Sequence, residues 1–128
     1  MTEEKKYKIA VIEDEPFLAS MYTTKFELEG FDVVRAADGE EGLKQIKENK
    51  PDLVLLDIVM PKMDGFQVLE NLRADSSTSS LPVILLTNLG QRADIEKGLR
   101  MGATDYIIKA NYTPAQVVAK AKEKLGIK

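Results

Sequence analysis

Cysteine and histidine are both missing from this chain of 128 residues. Without cysteine, disulfide bonds and thiolate metal sites are excluded. Without histidine, the chain lacks the commonest general base, the commonest ligand of transition metals and any phosphohistidine of its own. Carboxylates, lysines and hydroxyls remain, so any functional site must be built from hard oxygen ligands and cations.

An excess of charge of one sign and a long apolar run are also missing. The 18 basic and 21 acidic residues are intermixed, and a net charge of -3 leaves no basic stripe that would neutralise a phosphate backbone. Direct binding to nucleic acid is therefore not expected. Residues 1–6 are charged where a signal peptide needs an apolar run, and no segment approaches the roughly 20 apolar residues of a membrane span. We expect a soluble, cytoplasmic protein.

Four short apolar segments each stop at a polar or charged residue. Unbroken runs of this length are typical of strands that are buried on both faces of a parallel sheet. The pattern predicts strands over Lys8–Ile12, followed by Glu13 and Asp14, over Leu53–Leu56, followed by Asp57, over Val83–Leu86, followed by Thr87, and over Asp105–Lys109, closing on Lys109. A fifth segment, residues 31–36, alternates more, which favours a strand at the sheet edge.

Five helices are indicated between and after these strands by capping residues, apolar residues at helical spacing and terminal glycines. The predicted helices run from Pro16 to Gly30 with Leu18, Met21, Tyr22 and Leu28 on one face, from Asp38 to about Asn49, through Val68, Leu69 and Leu72, through Ile95 and Leu99 to Gly102, and from Thr113 to Leu125. Strands and helices that alternate in this way predict an α/β domain with a parallel sheet and helices on both faces. The order of the strands does not follow from the pattern. By length, we expect one domain over residues 1–128.

The residues at the strand ends are the candidate functional site. In an open α/β sheet, ligands bind beyond the carboxyl ends of the strands. Three carboxylates, a hydroxyl and an ammonium should therefore converge, from Glu13, Asp14, Asp57, Thr87 and Lys109. Each has a plain structural explanation when taken singly, since Asp57 can start a turn, Thr87 can cap one and Lys109 can neutralise buried acids. Their joint placement favours a site.

Three crowded carboxylates repel one another unless a cation lies among them. Oxygen ligands with room for water suit Mg²⁺ better than a softer metal. A Mg²⁺ ion beside Asp57, with Lys109 and Thr87 opposite, can neutralise a phosphoryl group that moves in line onto the carboxylate. Asp57 is the best candidate nucleophile because it follows the central apolar strand.

These residues carry a resemblance to a known family. Glu13 and Asp14, Asp57 within the segment 57–61, Asp64 and Gly65, Thr87, Tyr106 and Lys109 together resemble the receiver domain of two-component response regulators, of the chemotaxis-regulator type. The resemblance covers essentially the whole chain. It implies a flavodoxin-like sheet with five strands in the order 2-1-3-4-5 and five helices. It also implies a receiver with no output domain within residues 1–128.

The resemblance implies a role for each site residue. Asp57 would accept a phosphoryl group from a phosphohistidine on a histidine kinase or histidine phosphotransfer protein. Asp14, Asp57 and the backbone carbonyl of Val59 would ligate Mg²⁺, and Glu13 would act through a metal-bound water. Lys109 would pair with the acyl phosphate.

The resemblance also implies a switch. Thr87 would move to donate a hydrogen bond to the acyl phosphate, and Tyr106 would swing inward. This movement would change the face that is formed by helix four, strand five and helix five, which would meet a downstream protein. A phosphoryl group adds roughly -1.5 to -2 charge, which can favour one of two packings.

Two positions depart from the family pattern. Ala110 follows Lys109 where the family usually has a proline in a cis bond, and a cis bond before a residue other than proline costs about 2.5 to 4 kcal/mol. We therefore predict a trans Lys109–Ala110 bond and a shifted loop into Asn111. Asn88 follows Thr87 where the family commonly has alanine or glycine, so Asn88 either slows phosphotransfer or contacts the phosphate.

Other functions fit the sequence less well. A phosphohydrolase with an aspartate nucleophile usually has a second carboxylate two residues further on, and that position is Val59. A nucleotide-binding domain would have a glycine-rich loop after strand one, where residues 13–15 are acidic instead. We expect no separate enzymatic substrate. An interaction module of the same fold that does not depend on phosphorylation remains an alternative.

Overall fold

A single parallel sheet organises the domain in the computed structural model, which describes residues 6–127. Its strands are β1 (Lys8–Ile12), β2 (Asp32–Ala36), β3 (Leu53–Leu56), β4 (Val83–Thr87) and β5 (Asp105–Ile108). Their order in the sheet is β2-β1-β3-β4-β5, and every neighbouring pair is parallel. The predicted strand order is confirmed, and the alternating segment 32–36 does form an edge strand.

Within residues 6–127, five α-helices and one short 3-10 helix follow the strands. They are α1 (Pro16–Leu28), α2 (Gly39–Asn49), α3 (Gly65–Ala74), α4 (Arg92–Arg100) and α5 (Pro114–Leu125), with the 3-10 helix at Lys109–Asn111. Successive side chains of a strand point to opposite faces of the sheet. Ile9 and Val11 of β1 accordingly lie in a core with α1 and α5. Ala10 and Ile12 lie in a second core on the other face, with α2 and α3.

The helix ends follow local sequence signals. The Asp38 side chain accepts a hydrogen bond from the Glu41 backbone N–H at 2.8 Å, which starts α2 at the predicted residue. Thr113 and Gln116 form a reciprocal capping box at the start of α5. Gly30 lies beyond the end of α1 with φ of +91°, a conformation that costs glycine little. These caps satisfy backbone groups that a helix end leaves without partners.

Three sequence-based predictions need correction. Leu28 was expected on one face of α1 with Leu18, Met21 and Tyr22 but is 76% exposed, and Phe26 fills the core instead. Leu99 is 48% exposed, because Gly98 is the residue of α4 that meets the sheet. The fifth strand ends at Ile108, and Lys109 begins the 3-10 helix.

Among residues 6–127, no helix is both long and apolar enough to cross a bilayer. The charged amino-terminal stretch considered above lies outside these residues except for Lys6.

Candidate functional site

Adjacent strands bring the acidic side chains together. Ile12 at the end of β1 pairs with Leu56 at the end of β3. The Asp57 backbone N–H donates to the Ile12 carbonyl at 3.0 Å, so Glu13 and Asp57 leave the sheet side by side. One carboxylate oxygen from each of Glu13, Asp14 and Asp57 lies within 4.8 Å of the others. Glu13 is 4% exposed and Asp57 6%, whereas Asp14 is exposed.

Lys109 reaches across the sheet to both buried carboxylates. Its ammonium Nζ donates to Asp57 Oδ2 at 2.8 Å and forms a short ion pair with Glu13 Oε1. The other oxygen of each carboxylate is held by the backbone: the Ile58 N–H donates to Asp57 Oδ1 at 2.7 Å, and the Glu15 N–H donates to Glu13 Oε2 at 3.1 Å. The two carboxylates are therefore fixed in orientation as well as in position.

Burial and the hydrogen bonds of Lys109 shift the pKa values of the site residues in opposite directions. Burial raises the pKa of the Glu13 carboxyl, and the nearby Asp57 charge raises it further, against the hydrogen bond from Lys109. Burial alone would lower the pKa of the Lys109 ammonium, but its hydrogen bonds to Asp57 and Glu13 outweigh that effect and raise it. Lys109 thus stays charged, yet one ammonium faces three carboxylates. The site keeps an excess of negative charge.

That excess fits a hard divalent cation. All three side chains offer carboxylate oxygens, the ligands that Mg²⁺ prefers, and the exposed Asp14 leaves one side open to water. The residues present here therefore suit that ion. Val59 lies two residues after Asp57, in the loop to α3, with 62% of the residue exposed. The role of its carbonyl as a ligand stays a prediction.

Thr87 and Asn88 lie where β4 leaves the sheet. Thr87, which is 1% exposed, is the last residue of the strand, and its Oγ1 accepts a hydrogen bond from the Leu89 N–H at 3.3 Å. In the described structure no hydrogen bond joins Thr87 to Asp57. Asn88 follows as an exposed residue at the start of the loop to α4. The hydroxyl is therefore engaged by its own loop.

Tyr106 on β5 faces α4. Its hydroxyl donates to the Leu89 carbonyl at 2.5 Å, and its ring lies against Gly98. Burial, together with the charges of Asp94 and Asp57, raises the pKa of the Tyr106 phenol to about 12. The side chain is thus already turned inward, and its hydroxyl is bound to the loop after β4 instead of being left to solvent.

The peptide bond after Lys109 confirms one part of the prediction that was made from Ala110, the trans bond, while the shift of the loop into Asn111 stays a prediction. Between Lys6 and Ile127 every peptide bond is trans, including Lys109–Ala110. The chain turns through the 3-10 helix Lys109–Asn111 instead. Lys109 still reaches Asp57, so alanine in place of the family's proline does not displace the ammonium.

For two residues near the site, the sequence did not show the packing that the structure reveals. Gly65 at the start of α3 packs so closely on the backbone of Asp57 and Ile58 that a side chain there would overlap both. Its place directly after the N-cap Asp64 was the available clue. Tyr22 of α1 was expected only as one apolar face residue, yet it lies beneath Glu13 and Asp57.

A five-stranded parallel sheet in this order, with helices on both faces, defines a flavodoxin-like α/β domain whose carboxyl edge carries an acidic site. Comparison with known proteins then identifies the family. The family model for the response regulator receiver domain matches residues 9–122. The chain belongs to the receiver domains of two-component response regulators.

Relatives and solved structures agree with this assignment. The chain is 40% identical over 119 residues to a probable transcriptional regulator, ycf27, of Guillardia theta, covering 93% of this chain and 45% of that protein. It is 39% identical to the DNA-binding response regulator MtrA of Mycolicibacterium smegmatis, covering 94% and 51%. The chain therefore spans about half the length of these relatives. A putative response regulator from Chloroflexus aurantiacus superposes with a TM-score of 0.88 at 32% identity, covering 95% of this chain and 99% of that one.

Proposed function

We propose that this receiver domain is a phosphorylation-activated switch of a two-component phosphorelay. Asp57 accepts a phosphoryl group from a phosphohistidine of a histidine kinase or histidine phosphotransfer protein. The observation that carries the proposal is the buried Asp57 carboxylate, held by Lys109 on one oxygen and by the Ile58 N–H on the other. A carboxylate that is fixed in this way is a preoriented nucleophile.

The transfer forms one bond and breaks one bond. A carboxylate oxygen of Asp57 attacks the phosphorus while the bond from phosphorus to the donor imidazole nitrogen breaks, and the donor histidine leaves with that electron pair. Lys109 lies at 2.8 Å from Asp57 and neutralises charge that arrives with the phosphoryl oxygens. Mg²⁺ would be held by Asp14, Asp57 and the Val59 carbonyl, with Glu13 acting through a metal-bound water, and would supply further neutralisation of those oxygens.

The switch runs through Leu89. Its backbone N–H donates to Thr87 and its carbonyl accepts from Tyr106, so one residue joins both side chains. If Thr87 turns to donate to the acyl phosphate, the Leu89 N–H loses that partner and the loop can shift with Tyr106. The face formed by α4, β5 and α5 changes as a result, and we propose that a downstream protein binds there.

The free energy that the phosphoryl group can supply through new hydrogen bonds is large enough for a switch. A change from mostly inactive to mostly active requires about 5.5 kcal/mol of differential interaction. Hydrogen bonds to charged groups contribute about 1.5 to 3 kcal/mol each. The phosphoryl group offers such bonds to Lys109 and Thr87, so a few of them suffice. DNA binding, which the name of the MtrA relative states for that protein, is not proposed for these residues.

Intact mass spectrometry tests the proposal. Acetyl phosphate and Mg²⁺ should add the mass of one phosphoryl group to the wild type but not to Asp57→Asn. Asp32→Asn is the matched control, because Asp32 is an exposed carboxylate at the opposite end of the sheet, and it should gain the same mass as the wild type. Equal modification of Asp57→Asn would refute the assignment. A wild type that stays unmodified would favour an interaction module that does not depend on phosphorylation.

A further inference from the structure

The first residue of α2 packs against the loop that follows the phosphoacceptor strand. Gly39 is buried, and a Cβ added to it would lie 2.7 Å from the carbonyl carbon of Met63 and closer still to the Met63 carbonyl oxygen. Cβ atoms in proteins essentially never come so near to another backbone. Only glycine can therefore occupy this position while the loop stays where it is.

Space, and not backbone conformation, requires this glycine. Among residues 6–127, the glycines with positive φ are Gly30, Gly102 and Gly126, and Gly39 is not one of them. Alanine could adopt its helical conformation and favours a helix more than glycine does. The glycine is explained instead by the close approach of Met63.

An ion pair joins the same two segments. Asp38, whose side chain caps α2, lies with its Oδ2 at 3.8 Å from Nζ of Lys62, the residue before Met63. Lys62 has φ of +68°, and the Met63 N–H donates to the Pro61 carbonyl at 2.7 Å, so the tip of the loop is a tight turn. An ion pair this exposed adds little energy. It shows, however, that two successive residues of the loop tip meet two successive residues at the start of α2.

The base of the loop is fixed as well. The Gly65 N–H donates to the Ile58 carbonyl at 2.8 Å, and a side chain on Gly65 would overlap the backbone of Asp57 and Ile58. Val59, whose carbonyl is the proposed Mg²⁺ ligand, lies between this base and the tip at Met63. The position of the Val59 carbonyl therefore depends on the contacts at both ends of the loop.

We propose that Gly39 is a positioning residue for Mg²⁺ binding. By leaving room for the Met63 backbone, it holds the loop 58–64 where the Val59 carbonyl can bind the ion. Gly39 does not touch the ion and acts only through the loop. The inference rests on the part of the proposed function that assigns the Val59 carbonyl to Mg²⁺. It does not require that Asp57 accepts a phosphoryl group.

Gly39→Ala tests the contact. The added methyl group should displace the Met63 backbone, and the Kd for Mg²⁺ should rise about tenfold, because changes to residues that orient metal ligands typically cost at least that much affinity. Isothermal titration calorimetry of the unphosphorylated protein measures this Kd.

Gly98→Ala is the matched control. It adds the same methyl group at another crowded glycine, 2.6 Å from Leu85 Cδ1, but on α4, where the nearest atoms belong to Leu85 and Tyr106 and none to the loop. Its Kd for Mg²⁺ should equal that of the wild type.

NMR of the wild type gives a measurement that needs no variant. Mg²⁺ should shift the ¹³C resonance of the Val59 carbonyl, and it should slow hydrogen exchange of the Met63 N–H, because a ligand bound within a closed loop also restrains the tip. In Gly39→Ala the shift of the Val59 carbonyl at saturating Mg²⁺ should be smaller than in the wild type.

Each outcome decides for or against the role of Gly39. A wild-type Kd in Gly39→Ala would overturn it, and so would an equal loss of affinity in Gly98→Ala, since overpacking alone would then explain the effect. A Val59 carbonyl that Mg²⁺ leaves unshifted in the wild type would overturn it even if Gly39→Ala did not fold. These results leave phosphorylation of Asp57 standing. A wild type that shows the Val59 shift but gains no phosphoryl mass would overturn the proposed function alone.

Discussion

Lys109 is the residue on which the balance of charge in the site depends. Its ammonium offsets the repulsion between two buried carboxylates, those of Glu13 and Asp57. The Lys109 side chain that forms both ion pairs is itself almost fully buried. Removing one partner of a buried ionic group costs far more than the group contributes as a whole, because the charge that is left has no partner. The cost therefore depends on which residue is removed.

Lys109→Met should lower the free energy of unfolding by about 3–5 kcal/mol at neutral pH without Mg²⁺, because Glu13 and Asp57 are left buried and unpaired. The pKa of Glu13 is already raised, so this carboxyl takes up a proton early on acidification and the loss should shrink at acid pH. Asp57→Asn should stay within about 1 kcal/mol of the wild type or exceed it, since Lys109 keeps Glu13. Urea unfolding followed by circular dichroism measures both. Equal midpoints for the two variants would contradict this account.

The lowered pKa of the Glu29 carboxyl predicts how one ion pair responds to pH. The hydrogen bond from Lys122, together with the charges of Lys122 and Lys25, lowers the pKa of the Glu29 carboxyl below 4.5. A lowered folded-state pKa means that the stabilisation is present above the unfolded-state pKa and is lost as the pH falls through the folded-state value. In an NMR titration the Glu29 midpoint should rise toward 4.5 in Lys122→Gln. An unchanged midpoint would show that Lys122 is not the cause.

At the scale of elements, α4 buries fewer of its residues than any other α-helix that the structure describes. Gly98 is its one buried residue among those described, and it lies over Leu85 and against the Tyr106 ring. The absence of a side chain at Gly98 lets the helix lie close to β4 and β5. A helix that is held by so little apolar contact can move at modest cost, which suits an element of the proposed switch face.

Gly98→Ala should push α4 away from Tyr106. An added Cβ would lie 2.6 Å from Leu85 Cδ1 and 3.1 Å from Tyr106 Cδ2. Overpacking costs about 1–3 kcal/mol, and the better helix propensity of alanine returns about 1 kcal/mol, so a net loss of about 1 kcal/mol is expected. The pKa of Tyr106 should fall from about 12 as the ring becomes exposed. NMR of ¹³C-labelled tyrosine measures this pKa.

Ala93→Val is the control for that variant, because it adds bulk at an exposed position of the same helix. It should leave the Tyr106 titration unchanged. If Gly98→Ala also leaves it unchanged, the contact between α4 and Tyr106 does not hold the ring inward.

Sequence patterns predicted features that depend on residues close together in the chain better than features that depend on residues far apart in it. The N-caps at Asp38 and Thr113 follow from residues three positions apart, and both were found as expected. The strand ends correctly predicted that Lys109 would meet Asp57, because parallel strands end at one edge. Arg73 could not be anticipated, since its guanidinium binds the carbonyls of Gly102, 29 residues away, and Thr78. Strand order depended on such distant pairings as well, and it came from the family resemblance.

At the scale of the whole molecule, a cation that binds only the folded state stabilises all of it. The carboxylates of Glu13, Asp14 and Asp57 come together only when β1 and β3 are paired. Any free energy of Mg²⁺ binding is therefore added to the free energy of unfolding of the entire domain.

Mg²⁺ should raise the thermal midpoint of the wild type. At a concentration 100 times the Kd the gain is about 2.7 kcal/mol. Asp14→Asn should lose most of this gain while keeping the stability of the metal-free protein, because Asp14 is exposed and the bonds between Lys109, Glu13 and Asp57 remain. Glu27→Gln, an exposed change on α1, should respond to Mg²⁺ as the wild type does. An equal response of Asp14→Asn would place the cation elsewhere.

The long separation between Asp57 and Lys109 has a consequence for a chain that is still being synthesised. Lys109 lies 52 residues after Asp57 and emerges from the ribosome long after all three carboxylates. A nascent chain that has not yet released β5 carries the acids without their ammonium. The complete charge arrangement of the proposed phosphoacceptor site therefore forms only after Lys109 has been translated.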